Sequence, residues 1–171
     1  LGRSDIVVNL QGDAPLTPPH YVEALLDEMR DAPDVSMATP VLATDPDQLR
    51  ALIADRKAGR VGATTAVMAR NRDALYFSKE VLPHQDGAKD APPVWHHVGV
   101  YAYRRAALSA YATLPQGPLE TREGLEQLRF LENGLPVRCV EVDARGRAFW
   151  ELNNPSDIER IEAIMAREGL E

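Results

Sequence analysis

A single cysteine, Cys139, stands in a chain of 171 residues, so no internal disulfide can staple the fold. It sits in the alternating run Val137-Arg138-Cys139-Val140-Glu141-Val142, which reads as a strand with a packed thiol rather than a reactive one. Cations are also scarce: 19 lysines and arginines face 26 aspartates and glutamates, for a net charge of -7. That balance argues against a nucleic-acid partner, which needs a basic face against the phosphate backbone. An acidic chain can still hold an anion where a few cations and backbone N–H groups converge. There is no membrane-length apolar run and no secretory signal pattern, so no membrane is expected and the cytoplasm is the expected compartment. No initiator methionine precedes Leu1-Gly2-Arg3, and the chain is expected to be a fragment or a trimmed form of a longer one.

What the sequence does contain is ordinary for a globular protein: 44% hydrophobic and 26% charged residues. A chain of this length forms one domain, 1–171, and buries roughly 70% of its unfolded surface. The first strong signal is Ser4 to Leu10, a continuous apolar run with β-branched residues. Such a run predicts a strand buried on both faces, as in a parallel sheet. It stops at Gln11-Gly12-Asp13, and a helix with apolar positions Val22, Leu25, Leu26 and Met29 follows, with Thr17 as its N-cap. In open α/β sheets ligands sit beyond the carboxyl ends of strands. Asp13 is therefore placed either to hold a metal-bound phosphate or simply to shape the strand-to-helix turn.

Further along, Val35–Val41 reads as a strand and Asp45-Pro46 opens a helix. Residues 63–68 and 74–78 form two strands of a hairpin, with Lys79 directly after them. The segment Gly59–Thr65 glances at a phosphate loop, but no Gly-Lys-Ser/Thr follows and that reading is rejected. Pro83–Pro93 reads as an exposed loop. Trp95–Arg104 alternates as one strand with His97, Gly99, Tyr101 and Tyr103 on one side. His96 and His97 then face opposite ways and do not chelate one metal. A helix from 106 to 111 is followed by a longer one to Gly134 with Leu125, Leu128 and Leu131 as its buried stripe. Glu126 and Gln127 beside that stripe read as solvated helix residues unless other evidence recruits them. Strands at 137–142 and 147–152 precede a last helix capped by Asn154 and started by Pro155. The alternation predicts an α/β protein with a mixed, mainly parallel sheet flanked by helices.

Taken together, the segments VVNLQGDAPLTPP (7–19), MATPV (37–41), ALYFSK (74–79), HVGVYAYRR (97–105), PLETREGLEQLRFLENG (118–134) and NNPSDIERI (153–161) resemble the 3-deoxy-manno-octulosonate (KDO) cytidylyltransferase family, in order and rough spacing. The resemblance implies a nucleotide-diphospho-sugar transferase (Rossmann-like) fold lacking its first strands, in a homodimer. It implies transfer of CMP from CTP to KDO with release of pyrophosphate and with Mg²⁺, for lipopolysaccharide or capsule synthesis. By position, Asp13 is the metal-binding aspartate of the family's QGDEP motif, and Gln11 faces the sugar. His97, Tyr101, Glu126 and Gln127 fall on sugar-contacting positions. Asp13 and Lys79 are the catalytic candidates, Asp13 is a metal ligand, and Asn153 is either the second metal ligand or a residue that only forms the turn.

Several departures mark this chain. Ala14 replaces the glutamate of QGDEP, and Lys79 replaces an arginine, keeping the charge but losing the bidentate fork. Asn153 replaces a second metal aspartate, offering a carbonyl oxygen with one negative charge fewer. The family's opening triphosphate loop has no counterpart after Leu1, so the 171-residue polypeptide alone is expected to bind CTP poorly. A CMP-sialic acid synthetase-like enzyme and a non-catalytic protein of the same fold stand as alternatives.

Overall fold

The strand buried on both faces is β2 (Met37–Ala43), not β1 (Ile6–Leu10), which is half-buried and ends exposed. The computed structural model describes residues 5–85, 92–147, 149–152, 154–155 and 157–170. Within these residues β1 leads to α1 (Pro19–Asp31), β2 and α2 (Pro46–Lys57). Then come β3 (Thr65–Met68), β4 (Ala74–Ser78), β5 (Trp95–His97) and β6 (Val100–Arg104). The chain closes with α3 (Arg105–Tyr111), α4 (Pro118–Glu123), α5 (Leu128–Glu132), β7 (Arg138–Val142) and α6 (Asp157–Glu168).

The strands join in the order β1-β6-β2-β5-β3-β4, with β7 on the other edge of β2. The expected mainly parallel sheet is corrected by this register. Only β2–β7 is parallel among the described residues, and the other pairs are antiparallel. An apolar run reports burial, not the direction of the neighbouring strand. α1 does make the long crossover from β1 to β2, but β6 enters the gap between them and opposes both. The hairpin β3–β4 adds the antiparallel edge the sequence announced.

Alternate residues of β2 supply two cores. On one face Ala38 and Leu42 pack with Tyr21, Leu25 and Met29 of α1 and with Ile161 and Ile164 of α6. On the other, Met37 and Val41 pack with Phe77, Tyr101, Leu128 and Phe130. Cys139 lies in this second core, fully buried, and burial pushes its thiol up to about 12. It is a packing residue. α2 begins with a complete capping box between Asp45 and Gln48. At α1 the N-cap is Pro18, with no side-chain cap, so Thr17 does not fill that role. α6 starts at Asp157, whose carboxylate accepts the Asn154 N–H at 2.6 Å. Residues 149–152 carry no strand where one was expected. Six residues of the expected 83–93 loop, 86–91, lie outside the described residues.

Phe77 bridges the second core and the strand that carries His97, their rings meeting edge to face at 5.0 Å. Phe77→Ala is expected to lower the unfolding free energy by about 3–5 kcal/mol, measured by urea denaturation.

Candidate functional site

Trp95–Arg104 folds as two strands because the ladder breaks at Val98-Gly99, and the break faces Thr39-Pro40 of β2. Pro40 has no N–H to give that edge, and its carbonyl accepts the Val98 N–H at 3.0 Å. The fully buried Thr39 hydroxyl takes over the freed backbone groups, lying 2.9 Å from the Val100 carbonyl and 3.2 Å from that of Val98. Its single proton goes to a carbonyl. The His97 Nε2, 2.9 Å from the same oxygen, must therefore carry a proton and donate, leaving Nδ1 as an acceptor. Burial lowers the His97 pKa from 6.5 to about 4; the nearby Glu151 charge opposes that shift and His96 adds to it. The ring is neutral at physiological pH. His96 points into the first core against Phe149, so the two histidines do face opposite ways.

A second break shapes the facing wall. The helix expected up to Gly134 is interrupted by Gly124, at φ 64, so α4 and α5 are separate. The residues between them turn toward the sheet. Gln127 is 3% exposed, and its Oε1 accepts from the Tyr101 hydroxyl at 3.4 Å. Its Nε2 is buried and has no partner among the described residues. Burial raises the Tyr101 phenol far above its usual pKa, so it remains a hydroxyl. Glu123, the last residue of α4, accepts from Ser78 Oγ at 2.8 Å and from the Lys79 N–H at 2.9 Å. That contact fixes the end of β4. The Lys79 ammonium lies 3.1 Å from where a Cβ on Gly124 would stand, so glycine leaves it room.

These walls enclose a cavity of about 340 Å³. Gln11, Asp13, Lys79, His97, Tyr101, Glu126 and Gln127 all line it. Every described residue singled out from the sequence thus converges on one place. Asn153 lies outside the described residues, but its neighbour Leu152 donates its N–H to the Asp13 carbonyl at 2.8 Å. That bond stitches the end of β1 to the segment entering α6. Val61 and Thr64 also line the cavity. Their segment runs on into a strand, not a helix, in keeping with rejecting it as a phosphate loop.

Sequence reading missed Glu151. Its carboxylate lines the cavity and accepts the Gly99 N–H at 2.9 Å. Its other oxygen stands 3.9 Å from His96 Nε2, too far for a hydrogen bond, and that buried nitrogen has no partner among the described residues. Burial pushes the Glu151 carboxyl up, but His96, the Gly99 N–H and His97 outweigh it and hold the group below the usual carboxylate range. The available signal was a lone acid between Trp150 and Leu152 in an apolar stretch. Thr39 was missed as well, because its role depends on a strand break that no local pattern shows.

The cavity is acidic overall. Asp13, Glu126 and Glu151 face a single lysine or arginine, Lys79, among its lining residues. It offers donors and acceptors suited to a polyhydroxylated ligand with one anionic group.

Comparisons with known proteins bear on the family and the fold. The family model for cytidylyltransferases matches residues 2–142. A 3-deoxy-manno-octulosonate cytidylyltransferase of Maricaulis maris is 43% identical over 97% of this chain and 64% of its own length. One from Escherichia coli is 38% identical over 97% of this chain and 62% of its own. The chain therefore spans under two thirds of these relatives. A solved CMP:2-keto-3-deoxy-manno-octonic acid synthetase in complex with CTP superposes with a TM-score of 0.78 at 36% identity, over 97% of this chain and 64% of that one. A 4-diphosphocytidyl-2C-methyl-D-erythritol synthase from Anaerococcus prevotii shares the fold alone, with a TM-score of 0.51 at 10% identity over 97% of this chain and 61% of that one.

The neutral His97 makes stability pH-dependent. Above pH 6.5 neither folded nor unfolded state protonates it; between 6.5 and about 4 only the unfolded state does. The unfolding free energy should therefore fall by about 3 kcal/mol as pH drops through that window. Urea melts across that window should show His97→Gln removing this part of the slope.

Proposed function

The chain belongs to the cytidylyltransferase family, and from that premise we propose that it transfers CMP from CTP to the anomeric hydroxyl of KDO, releasing pyrophosphate. The observation that carries this reading is the convergence of Gln11, Asp13, Lys79, His97, Tyr101, Glu126 and Gln127 from separate elements onto one cavity. The relatives named for this sugar support KDO over sialic acid.

In this reading the Lys79 ammonium meets the sugar carboxylate as a point charge. The unpartnered Gln127 Nε2 donates to a sugar oxygen, while the Tyr101 oxygen, whose proton goes to Gln127 Oε1, and neutral His97 through Nδ1 accept from sugar hydroxyls. Held this way, the anomeric hydroxyl can be aimed in line at the α-phosphate. No covalent intermediate on the protein is needed.

Among the described residues, no group of three or more His, Cys, Asp or Glu could hold a metal ion by itself. Mg²⁺ keeps several waters and takes one or two protein oxygens together with substrate phosphates. The exposed Asp13, tied through its carbonyl to Leu152, would hold it, with Asn153 as the second ligand. When bound, Mg²⁺ neutralises charge on the phosphate oxygens. Family resemblance further suggests one domain, a homodimer, the cytoplasm, and a product destined for lipopolysaccharide or capsule. For the described residues, no helix is long and apolar enough to cross a membrane.

Pyrophosphate release from CTP, Mg²⁺ and either KDO or N-acetylneuraminate, assayed on the longer protein that carries the expected triphosphate loop, tests the reading; the 171-residue polypeptide alone is expected to turn over little. Turnover is expected with KDO; turnover with the sialic acid alone, or with neither sugar, would overturn it in favour of the corresponding alternative. Asp13→Asn should reduce the rate on the order of 100-fold or more. Lys79→Ala should raise the KM for the sugar about tenfold.

A further inference from the structure

Glu151 has no part in the motifs that carry the family resemblance, yet it holds a defined place in the cavity wall. Its Oε1 is fixed by the Gly99 N–H at 2.9 Å, and its side chain is only 13% exposed. Its Oε2 has no hydrogen-bond donor within reach in the described residues, because His96 Nε2 stops 3.9 Å short. A carboxylate held at one oxygen by the wall and open at the other is set to take a donor from what enters the cavity.

The space beside Gly99 sharpens that need. A Cβ built there would lie 3.0 Å from Gln11 Oε1 and 3.3 Å from Glu151 Oε1. Two acceptor oxygens thus converge where only glycine leaves room. Lys79 sits on a different wall, beside Gly124. A ligand with both an acid group and hydroxyls meets a cation on one wall and acceptors on another. Glu151 repels a carboxylate or phosphate and attracts a hydroxyl proton.

We infer that Glu151 determines sugar specificity by accepting a hydrogen bond from one hydroxyl of the bound sugar acid, whose carboxylate is directed to Lys79. This rests on the proposed function and adds a residue and a binding orientation to it. A site built to bond a hydroxyl discriminates strongly against the analogue that lacks it.

Calorimetric titration of the chain with KDO and a set of monodeoxy-KDO analogues tests the inference. The wild-type chain should bind one analogue roughly tenfold or more weakly than KDO. Glu151→Ala should lose roughly tenfold in KDO affinity and bind that analogue as well as it binds KDO. Lys79→Ala should weaken every member of the set by a similar factor and keep the preference. Glu151→Gln, nearly isosteric and checked by thermal melting, serves if the alanine variant does not fold; it should show a reduced preference. If the Glu151 variants keep the wild-type preference, or the wild type binds KDO but shows none, this inference falls and the proposed function stands. If the wild-type chain binds no KDO at all, the proposed function falls and takes this with it.

Discussion

The site depends on how the backbone groups freed at Val98-Gly99 are satisfied. A strand interrupted inside a sheet would strand polar groups in the core unless other donors and acceptors replace the ladder. Here Pro40 needs no partner for an N–H it lacks, its carbonyl receives Val98, Thr39 answers the carbonyls, and Glu151 receives Gly99. The replacements come from two distant parts of the chain, β2 and the segment before α6. The same bonds that close the break also fix the site: Thr39 sets the tautomer of His97, and Glu151 stands in the cavity held by Gly99.

Gly124 does for the helical wall what Gly99 does for the sheet. A continuous helix would have carried Glu126 and Gln127 past the cavity as ordinary surface positions. A left-handed residue at 124 ends the first turn early, lets Lys79 approach, and delivers Gln127 to Tyr101. Glu123 then locks α4 to the end of β4. In both walls functional residues flank a glycine, where regular hydrogen bonding has lapsed.

The electrostatics explain how a cavity in an acidic protein can take a ligand with one anionic group. With Asp13, Glu126 and Glu151 in the lining, the cavity does not attract anions as a whole. It presents separated patches: one ammonium for one anionic group, and carboxylates for hydroxyls or for a cation that travels with phosphate. The neutral His97 imidazole and the protonated Tyr101 phenol add no charge to the lining. Selectivity in such a cavity comes from matching the order of charged and neutral groups along the ligand.

By itself the sequence determined the elements and the family. Apolar period marked β1, α1 and the β3–β4 hairpin, Asp45-Pro46 marked α2, and the motif residues Gln11, Asp13, Lys79, His97, Tyr101, Glu126 and Gln127 were legible as candidates. Periodicity is a local property, so it survives without knowledge of neighbours. Only the tertiary structure decided strand direction, which of β1 and β2 is central, and where Trp95–Arg104 and the 118–134 helix break. It alone brought Thr39 and Glu151 to the site, through bonds that span 61 and 52 positions of sequence. Those features are set by hydrogen bonds between distant segments, whose partners no window of sequence contains.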